Sequence, residues 1–390
     1  MARRIITGID IGTSTVRVIV SEYSDNEVFP HIIGMGSADA KGLRHGYVVH
    51  REEATRSIQK ALHHAEQISG VRIEEVFLAF GGTGLEGTLS TGTIIVPRAD
   101  TEIMEGDVER AQTMAEQSLP SPANKRILHA IPVEYRIDGK EVLGRPVGMR
   151  GLKLEAKMLI VTALAQHLDD LTHAVEDAGV IVADVMAAPI AASFVTLTRA
   201  QQMAGCVLAN IGAETLSVVV YEGGVAISLE VFPVGSTNIT NDIALGLKIS
   251  LEEAERVKLG KSSAPIQKKR HEDIIEGRLG ELFTLVNTHL KNIGKQELLP
   301  AGVILIGGGA EALDIEGVAK NILRLPARTP TPDFMIDPET NMPIRSPSWF
   351  VAYGLTIFGA NAEGGSFRRS GGGFAGLKKT LGNIFRQLLP

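Results

Sequence analysis

Ile5-Ile6-Thr7-Gly8-Ile9-Asp10-Ile11-Gly12-Thr13-Ser14-Thr15-Val16-Arg17-Val18-Ile19-Val20 reads as a strand, a glycine-containing turn and a second strand. β-Branched residues stand on both sides of the break, as a pleated, half-buried ribbon requires. The same device returns about half a chain later in Val207-Leu208-Ala209-Asn210-Ile211-Gly212-Ala213-Glu214-Thr215-Leu216-Ser217-Val218-Val219-Val220-Tyr221. Two copies of a strand-turn-strand unit at that separation imply an internally duplicated α/β fold.

The chain has 390 residues, 44% hydrophobic and 22% charged, with a mean hydropathy of +0.12. That is long enough for two or three domains with an ample core, and too apolar for a disordered protein. One cysteine, Cys206, excludes an intramolecular disulfide framework and a thiolate zinc cluster and fits a reducing compartment. The first twenty residues place arginines and then Asp10 in the apolar run, which a secretory signal does not tolerate. No apolar stretch approaches the roughly 20 residues that span a bilayer. The expected location is therefore cytoplasmic.

Net charge is −6 overall, but residues 364–390 hold five basic residues and no acid, leaving −11 on the rest by subtraction. An acidic body argues against a nucleic-acid groove, which needs clustered Lys and Arg on the fold itself.

Helical spacing follows the first hairpin over Glu53–Ser69, and Val76–Phe80 is a strand ending in Gly81-Gly82. From there to about Thr162 short alternating strands surround one helix (Asp107–Ser118), the texture of an inserted subdomain. A buried strand (Met158–Ala163), a helix (Gln166–Ala178), a strand (Val180–Met186) and a helix (Ala191–Gln201) lead to the second hairpin. Helices then follow over Asn238–Leu247, Leu251–Leu259 and Asp273–Lys291. The apolar strand Val303–Ile306 runs into Gly307-Gly308-Gly309-Ala310. A proline-laden loop precedes a last core helix, Trp349–Gly359, and glycines beyond Ala362 make a flexible linker.

An acid delivered at a strand end before a Gly-Thr turn suits a polyphosphate: the turn exposes backbone N–H groups, and Asp10 reaches the Mg²⁺ through water. Alone, that pattern is also an ordinary tight hairpin. The second hairpin and the Gly307-Gly308-Gly309 turn, where a nucleobase or ribose can lie against bare backbone, strengthen the first reading. His63 and His64 lack a metal-binding spacing, and Trp349, Tyr353 and Cys206 read as core residues.

In order and spacing, the three elements resemble the phosphate-1, phosphate-2 and adenosine motifs of the actin-like ATPase superfamily. The likeness goes further. His129-Ala130-Ile131-Pro132-Val133-Glu134-Tyr135-Arg136-Ile137-Asp138-Gly139 and Arg145-Pro146-Val147-Gly148-Met149-Arg150-Gly151-Leu152-Lys153-Leu154-Glu155-Ala156 resemble the inserted subdomain of the FtsA family of bacterial cell division. Pro233-Val234-Gly235, Thr240-Asn241-Asp242-Ile243-Ala244 and Ala254-Glu255-Arg256-Val257-Lys258 resemble it too. The resemblance covers essentially the whole chain.

It implies an actin-like ATPase fold of two duplicated lobes. Residues 1–82 and 163–198 would form the first-lobe core, 83–162 the insert, 199–233 and 301–361 the second-lobe core and 234–300 its outer subdomain. Residues 362–373 would be a linker and 374–390 a membrane-targeting helix. ATP would lie between the lobes, with Mg²⁺ at Asp10. Asp10, Gly12, Thr13 and Ser14 would face the phosphates from one side, and Asn210, Gly212 and Thr215 from the other. Gly235 belongs to the same implied site, and Glu255 and Lys258, on one helical face, would hold the ribose or adenine edge with Gly307, Gly308, Gly309 and Ala310.

Two departures bear on turnover. Asn210 stands where the superfamily usually has Asp, followed by Ala213 and Glu214, and an amide cannot orient Mg²⁺-bound water by charge. Glu214 would repel a γ-phosphate if it pointed inward. Ala188, before Pro189, replaces the residue that polarises the attacking water in many relatives. ATP is then expected to act as a structural ligand or slow switch, turning over more slowly than about once per second.

On a helical wheel Phe374, Leu377, Leu381, Ile384, Phe385, Leu388 and Leu389 share an arc of roughly 140°, opposite Lys379, Asn383, Arg386 and Gln387, with Lys378 free to snorkel. Such a helix suits the surface of an anionic membrane. The family's implied role is to tether FtsZ filaments to the cytoplasmic membrane at the septum, to polymerise head to tail through the insert, and to recruit later division proteins. The FtsZ C-terminal peptide would bind the outer subdomain of the second lobe near Glu276, Arg278 and Glu281. Two rivals share the fold: a pilus-assembly scaffold of the PilM kind, and a small-molecule kinase, for which no catalytic base is evident.

Overall fold

A computed structural model of the protein describes residues 4–24, 29–97, 101–119, 124–261 and 268–363. The linker from 364 onward and the amphipathic segment 374–390 lie outside the described residues.

The opening hairpin forms as its composition demands. Strands β1 (Arg4–Ile11) and β2 (Thr15–Tyr23) pair antiparallel, and β3 (His31–Asp39) continues the meander. A small hairpin of β4 (Leu43–Arg44) and β5 (Tyr47–Val48) leads to helix α1 (Arg51–Ser69), which Gly70 ends in the left-handed conformation. Its Ala54, Ile58, Ala61, Leu62 and Ala65 recur at helical spacing and are buried. Strand β6 (Glu75–Phe80) then returns parallel to β1.

The insert follows as β7 (Glu86–Ile95), α2 (Glu105–Gln117), β8 (Lys125–Ile137), β9 (Lys140–Val142) and β10 (Lys153–Leu164), in the order β7-β10-β8-β9. Alternation along β10 decides how the insert sits. Leu154, Ala156, Met158 and Ile160 join the small core under α2, whereas Leu159, Val161 and Ala163 join the main core. A strand with period two thus holds two packing layers at once.

Helix α3 (Ala165–Glu176) and strand β11 (Ile181–Ala187) complete the first sheet, β11-β6-β1-β2-β3. The single helix expected over Ala191–Gln201 is instead two, α4 (Ala188–Thr196) and α5 (Arg199–Ala204). Leu197 is extended, and the Thr198 hydroxyl caps α5 by accepting from the Gln201 N–H at 3.3 Å. The capping threonine interrupts what side-chain periodicity alone would continue.

The second half repeats the plan. Strands β12 (Cys206–Ile211), β13 (Leu216–Glu222) and β14 (Val225–Phe232) form a meander, followed by α6 (Ser236–Leu247), α7 (Leu251–Lys258) and α8 (Lys268–Asn292). Strand β15 (Val303–Ile306), α9 (Ile315–Leu323) and β16 (Ala327–Arg328) close a sheet ordered β14-β13-β12-β15-β16. Both sheets set an antiparallel three-stranded meander beside two parallel strands, so the duplication read from the hairpins is present in order and polarity.

Helix α10 (Phe350–Glu363) begins after a short turn that holds Trp349. By chain order it belongs to the second lobe, yet Phe350, Tyr353, Leu355 and Phe358 pack in the core with Ile6 and Ile9 of β1. The α4 helix of the first lobe meanwhile reaches the second sheet, where the Tyr221 hydroxyl donates to Ser193 Oγ at 2.7 Å. The two helices cross at Gly354, where a Cβ would stand 1.9 Å from the Ala191 carbonyl oxygen. Only glycine permits that approach. Burial of each large aromatic contributes about 2–3 kcal/mol, so this crossing anchors α10 firmly in the first-lobe core.

Candidate functional site

The two hairpin turns close in the same way. Gly12 N–H donates to the Thr15 carbonyl at 3.1 Å, and Gly212 N–H to the Thr215 carbonyl at 2.8 Å. Asp10 and Asn210 stand next to last in the preceding strands, paired in register with Arg17 and Ser217. All these residues border one cleft between the lobes, of about 1130 Å³ counting its open mouth.

Sheet geometry explains the meeting. Each turn follows the central strand of its sheet, and α4 joins the first lobe to the second sheet through the Tyr221–Ser193 hydrogen bond. Asp10 is half-buried; loss of solvation raises its carboxyl to about 6, opposed by the charge of Arg17. Burial lowers the Arg17 value, while Asp10 and Glu311 act against that shift. Thr13 Oγ1 accepts from the Gly46 N–H at 3.1 Å, tying the first turn to the β4–β5 hairpin.

On the second lobe, α6 stands on the turn: Ser236 and Thr237 N–H groups donate to the Gly212 and Ala213 carbonyls at 2.9 Å each. Lys258 is almost wholly buried, with Nζ 2.7 Å from Glu255 Oε2 and 3.0 Å from Thr240 Oγ1. The Thr240 hydroxyl donates to the same Glu255 oxygen at 2.6 Å. A buried ammonium needs such a carboxylate. Gly307 has φ of 84°, and a Cβ on it would meet Asn210 Oδ1 at 2.4 Å. A Cβ on Gly308 would enter open space within the cleft wall.

Of the residues expected at a nucleotide, Asp10, Gly12, Thr13, Ser14, Asn210, Gly212, Thr215, Glu255, Lys258, Gly307 and Gly308 border this cleft. Gly235, Gly309 and Ala310 stand behind it: Gly235 is pressed on Ala213, Gly309 on Ile211, and Ala310 is in the second-lobe core. Their small size lets the turns pack. Arg17, Ser217, Ser236 and Glu311 also line the cleft. Hairpin register was a usable signal for Arg17 and Ser217, since each lies directly across from the acid or amide. No local signal marks Glu311.

Glu214 is not among the residues that border the cleft. Its carboxylate accepts from the His45 N–H at 2.7 Å and lies 3.6 Å from Arg44 Nε. Ala188 borders the cleft beside Gly81 and presents only a methyl group to it.

The donors fit a nucleoside polyphosphate: turn amides, a guanidinium and an ammonium around a glycine-walled space. Asp10 brings a carboxylate to the cleft from the first hairpin, and Asn210 brings an amide from the second. Among the described residues, no group of three or more His, Cys, Asp or Glu side chains is placed to hold a metal by itself. Among the described residues, too, no helix is long and apolar enough to cross a membrane.

On α8, Glu276 lines a shallow groove against α9 with Gly277, Gly280 and Ile322. Arg278 faces the other way. It binds Asp242 of α6 through Nε at 2.5 Å and Nη2 at 3.0 Å, and Glu281 through Nη1 at 2.6 Å. The three residues expected at the FtsZ peptide thus divide between two surfaces.

A sequence model described as "Cell division protein FtsA" matches residues 207–354, and one described as "SHS2 domain inserted in FTSA" matches residues 82–162. The cell division protein FtsA of Pseudomonas aeruginosa is 29% identical over 95% of this chain and 94% of its own length. That of Borreliella burgdorferi is 30% identical over 85% and 86%. Among solved structures, one titled PilM-PilN type IV pilus biogenesis complex aligns over 92% of this chain and 99% of that chain, with a TM-score of 0.70 at 19% identity. MreB 5 of Spiroplasma citri bound to AMPPNP aligns over 93% and 99%, with 0.54 at 13%. The structural likenesses establish the actin-like fold, and on the sequence identity and its coverage the chain belongs to the FtsA family of cell-division proteins.

Proposed function

We propose that this protein binds ATP between its lobes and anchors FtsZ filaments to the cytoplasmic face of the membrane at the septum. The observation that carries the nucleotide part is the pair of matching Gly–Thr turns, closed by the same hydrogen bond and bordering one cleft. Asp10 serves the Mg²⁺ of the bound nucleotide, and Lys258 with Glu255 meets the ribose or base beside Gly307 and Gly308. Asn210 and the Ala188 methyl group support ATP as a slow switch or structural ligand rather than fuel.

The membrane part rests on the amphipathic pattern of residues 374–390 and its basic excess. The FtsZ C-terminal peptide binds the outer subdomain, 234–300, where Glu276, Arg278 and Glu281 provide charge. Arg278, tied to Asp242, acts there by shaping the α6–α8 surface. The insert, 83–162, meets the next copy in a head-to-tail filament and recruits later division proteins.

Co-pelleting with FtsZ filaments and anionic vesicles tests the whole reading. The full chain brings FtsZ down with vesicles, and removal of residues 374–390 leaves FtsZ binding while abolishing vesicle binding. FtsZ that stays in the supernatant with the full chain defeats the proposal and favours a scaffold of the PilM kind, whose fold is shared. ATP turnover above about one per second would contradict the switch role.

A further inference from the structure

The short turn between β4 and β5 touches both walls of the cleft. Gly46 N–H donates to Thr13 Oγ1 at 3.1 Å on the first hairpin turn, and His45 N–H donates to the Glu214 carboxylate at 2.7 Å on the second. On its far side the same turn meets the base of the insert. The His45 carbonyl accepts from the Thr83 N–H at 3.3 Å, and the Tyr47 hydroxyl oxygen accepts from the Thr83 hydroxyl at 2.9 Å.

Tyr47 stands between the two connections through which the insert leaves and rejoins the first lobe. On the outgoing side, between β6 and β7, a Cβ on Gly82 would lie 2.8 Å from the Tyr47 ring, and one on Gly84 would lie 2.8 Å from its hydroxyl. On the returning side, just beyond the end of β10, the ring stacks on His167 with centroids 3.7 Å apart. The Gly84 Cβ would also meet Leu164 at 2.8 Å, so both connections are pressed around one ring. Glycine at 81, 82 and 84 leaves the outgoing connection free to turn about its backbone. His167 Nδ1 is buried without a partner among the described residues, a cost that a second arrangement of this joint relieves. The insert also rests on the other lobe, where a Cβ on Gly87 of β7 would lie 3.0 Å from Leu229 of β14.

Resting on the nucleotide reading above, we propose that Tyr47 is the positioning residue of the insert, through which occupancy of the cleft sets the angle between the insert and the first lobe. A ligand shifts such an equilibrium only by binding one arrangement better than the other. A polyphosphate held by both glycine turns does so, because the turns belong to opposite lobes and it favours the state in which they stand closest. Thr13 and Glu214 carry the β4–β5 turn with them, Tyr47 moves against Thr83 and His167, and the insert rotates about residues 81–84. By linkage, whatever docks on the insert in that orientation tightens ATP in return.

The test places spin labels on cysteines substituted for Lys60 of α1 and Glu109 of α2, both exposed. Their separation is measured by pulsed electron paramagnetic resonance in the full chain, diluted into unlabelled protein so that only distances within one copy are read. Cys206 is buried, with its thiol pushed up to about 12, and stays unlabelled. Calorimetry on the same protein measures ATP binding. Saturating ATP is expected to move the distance distribution to a new maximum. Tyr47 is not among the residues that border the cleft, so Tyr47→Leu, which fills space without stacking or hydrogen bonding, is expected to lose that shift while ATP affinity changes by less than about fivefold. Tyr47→Phe keeps the ring and is expected to retain most of the shift. The comparison with and without ATP needs no Tyr47 variant to fold. A distance that ATP leaves unchanged while calorimetry shows binding overturns the proposal and leaves the nucleotide reading standing, and so does a full shift in Tyr47→Leu. No ATP binding overturns both.

Discussion

The Glu214 carboxylate accepts a hydrogen bond from the His45 N–H at 2.7 Å, and the two residues belong to opposite lobes. The Glu214 carbonyl lies 3.1 Å from His45 Nδ1, and Arg44 adds a weaker ion pair. His45 is held at a φ of 49°, in the left-handed region that a side chain enters at a cost. The second hairpin is thus fastened to the β4–β5 turn at the edge of the cleft, next to the Gly46 N–H that binds Thr13.

Cutting this clasp should loosen the cleft without unfolding either lobe. Glu214→Ala is expected to cost about 1–2 kcal/mol, the value of a charge-assisted hydrogen bond to a largely shielded carboxylate. Hydrogen exchange should quicken at residues 43–48 and 212–216 and stay unchanged in α10. Unaltered exchange at both turns would show that the clasp carries no strain or stability.

Asp10 should trade stability for binding. Its carboxyl is raised to about 6 in the fold, against about 4 in an unfolded chain. Between those values the folded protein binds more protons, so this group's contribution to stability declines as pH rises through the window, and the penalty is complete above pH 6. Asp10→Asn is therefore expected to be more stable than wild type by roughly 1–2 kcal/mol at pH 7.5 and about equal to it at pH 4. Urea unfolding at the two pH values measures the difference. A less stable variant at pH 7.5 contradicts the assignment.

His129 predicts the opposite slope. It is buried, its Nε2 accepts from the Ala187 N–H at 2.9 Å where α4 begins, and desolvation lowers its pKa to about 3. An unfolded chain protonates near 6.5, so this stability is complete above pH 6.5 and is lost as pH falls toward 3. His129→Gln keeps an acceptor and removes the titration. From pH 6.5 to 5 the wild type should lose about 2 kcal/mol more than this variant. Parallel stability curves over that range would rule it out.

The helix crossing sets a steric prediction. Gly354→Ala puts a methyl carbon where the Ala191 carbonyl oxygen stands 1.9 Å away, and forcing α4 and α10 apart should cost about 3 kcal/mol or more. Gly106→Ala, in the first turn of α2 with nothing within 4 Å, should be neutral or raise the melting temperature slightly. Equal melting temperatures for the two variants would mean that the crossing yields freely.

Residues close in sequence carried most of what could be read in advance. A turn of four residues needs only its own glycine and carbonyls, so the Gly12 and Gly212 hairpins, and Asp10 and Asn210 before them, were legible in a linear text. The insert was legible by its change of texture, and Arg17 only through hairpin register. Gly235, Gly309 and Ala310 belong to the same motifs but serve the packing behind the cleft, because motif proximity does not say which backbone face meets open space.

The linear chain by itself determined the duplication, the two turns, the insert and the family, since each rests on local backbone preference or on matching residue order. Tertiary structure alone decided that α10 packs on the first lobe, that Gly354 admits the crossing, and that Glu214 turns to His45. Those outcomes join residues more than a hundred positions apart. They follow from which surfaces exclude water together and which polar groups then find partners, and neither is set by near neighbours.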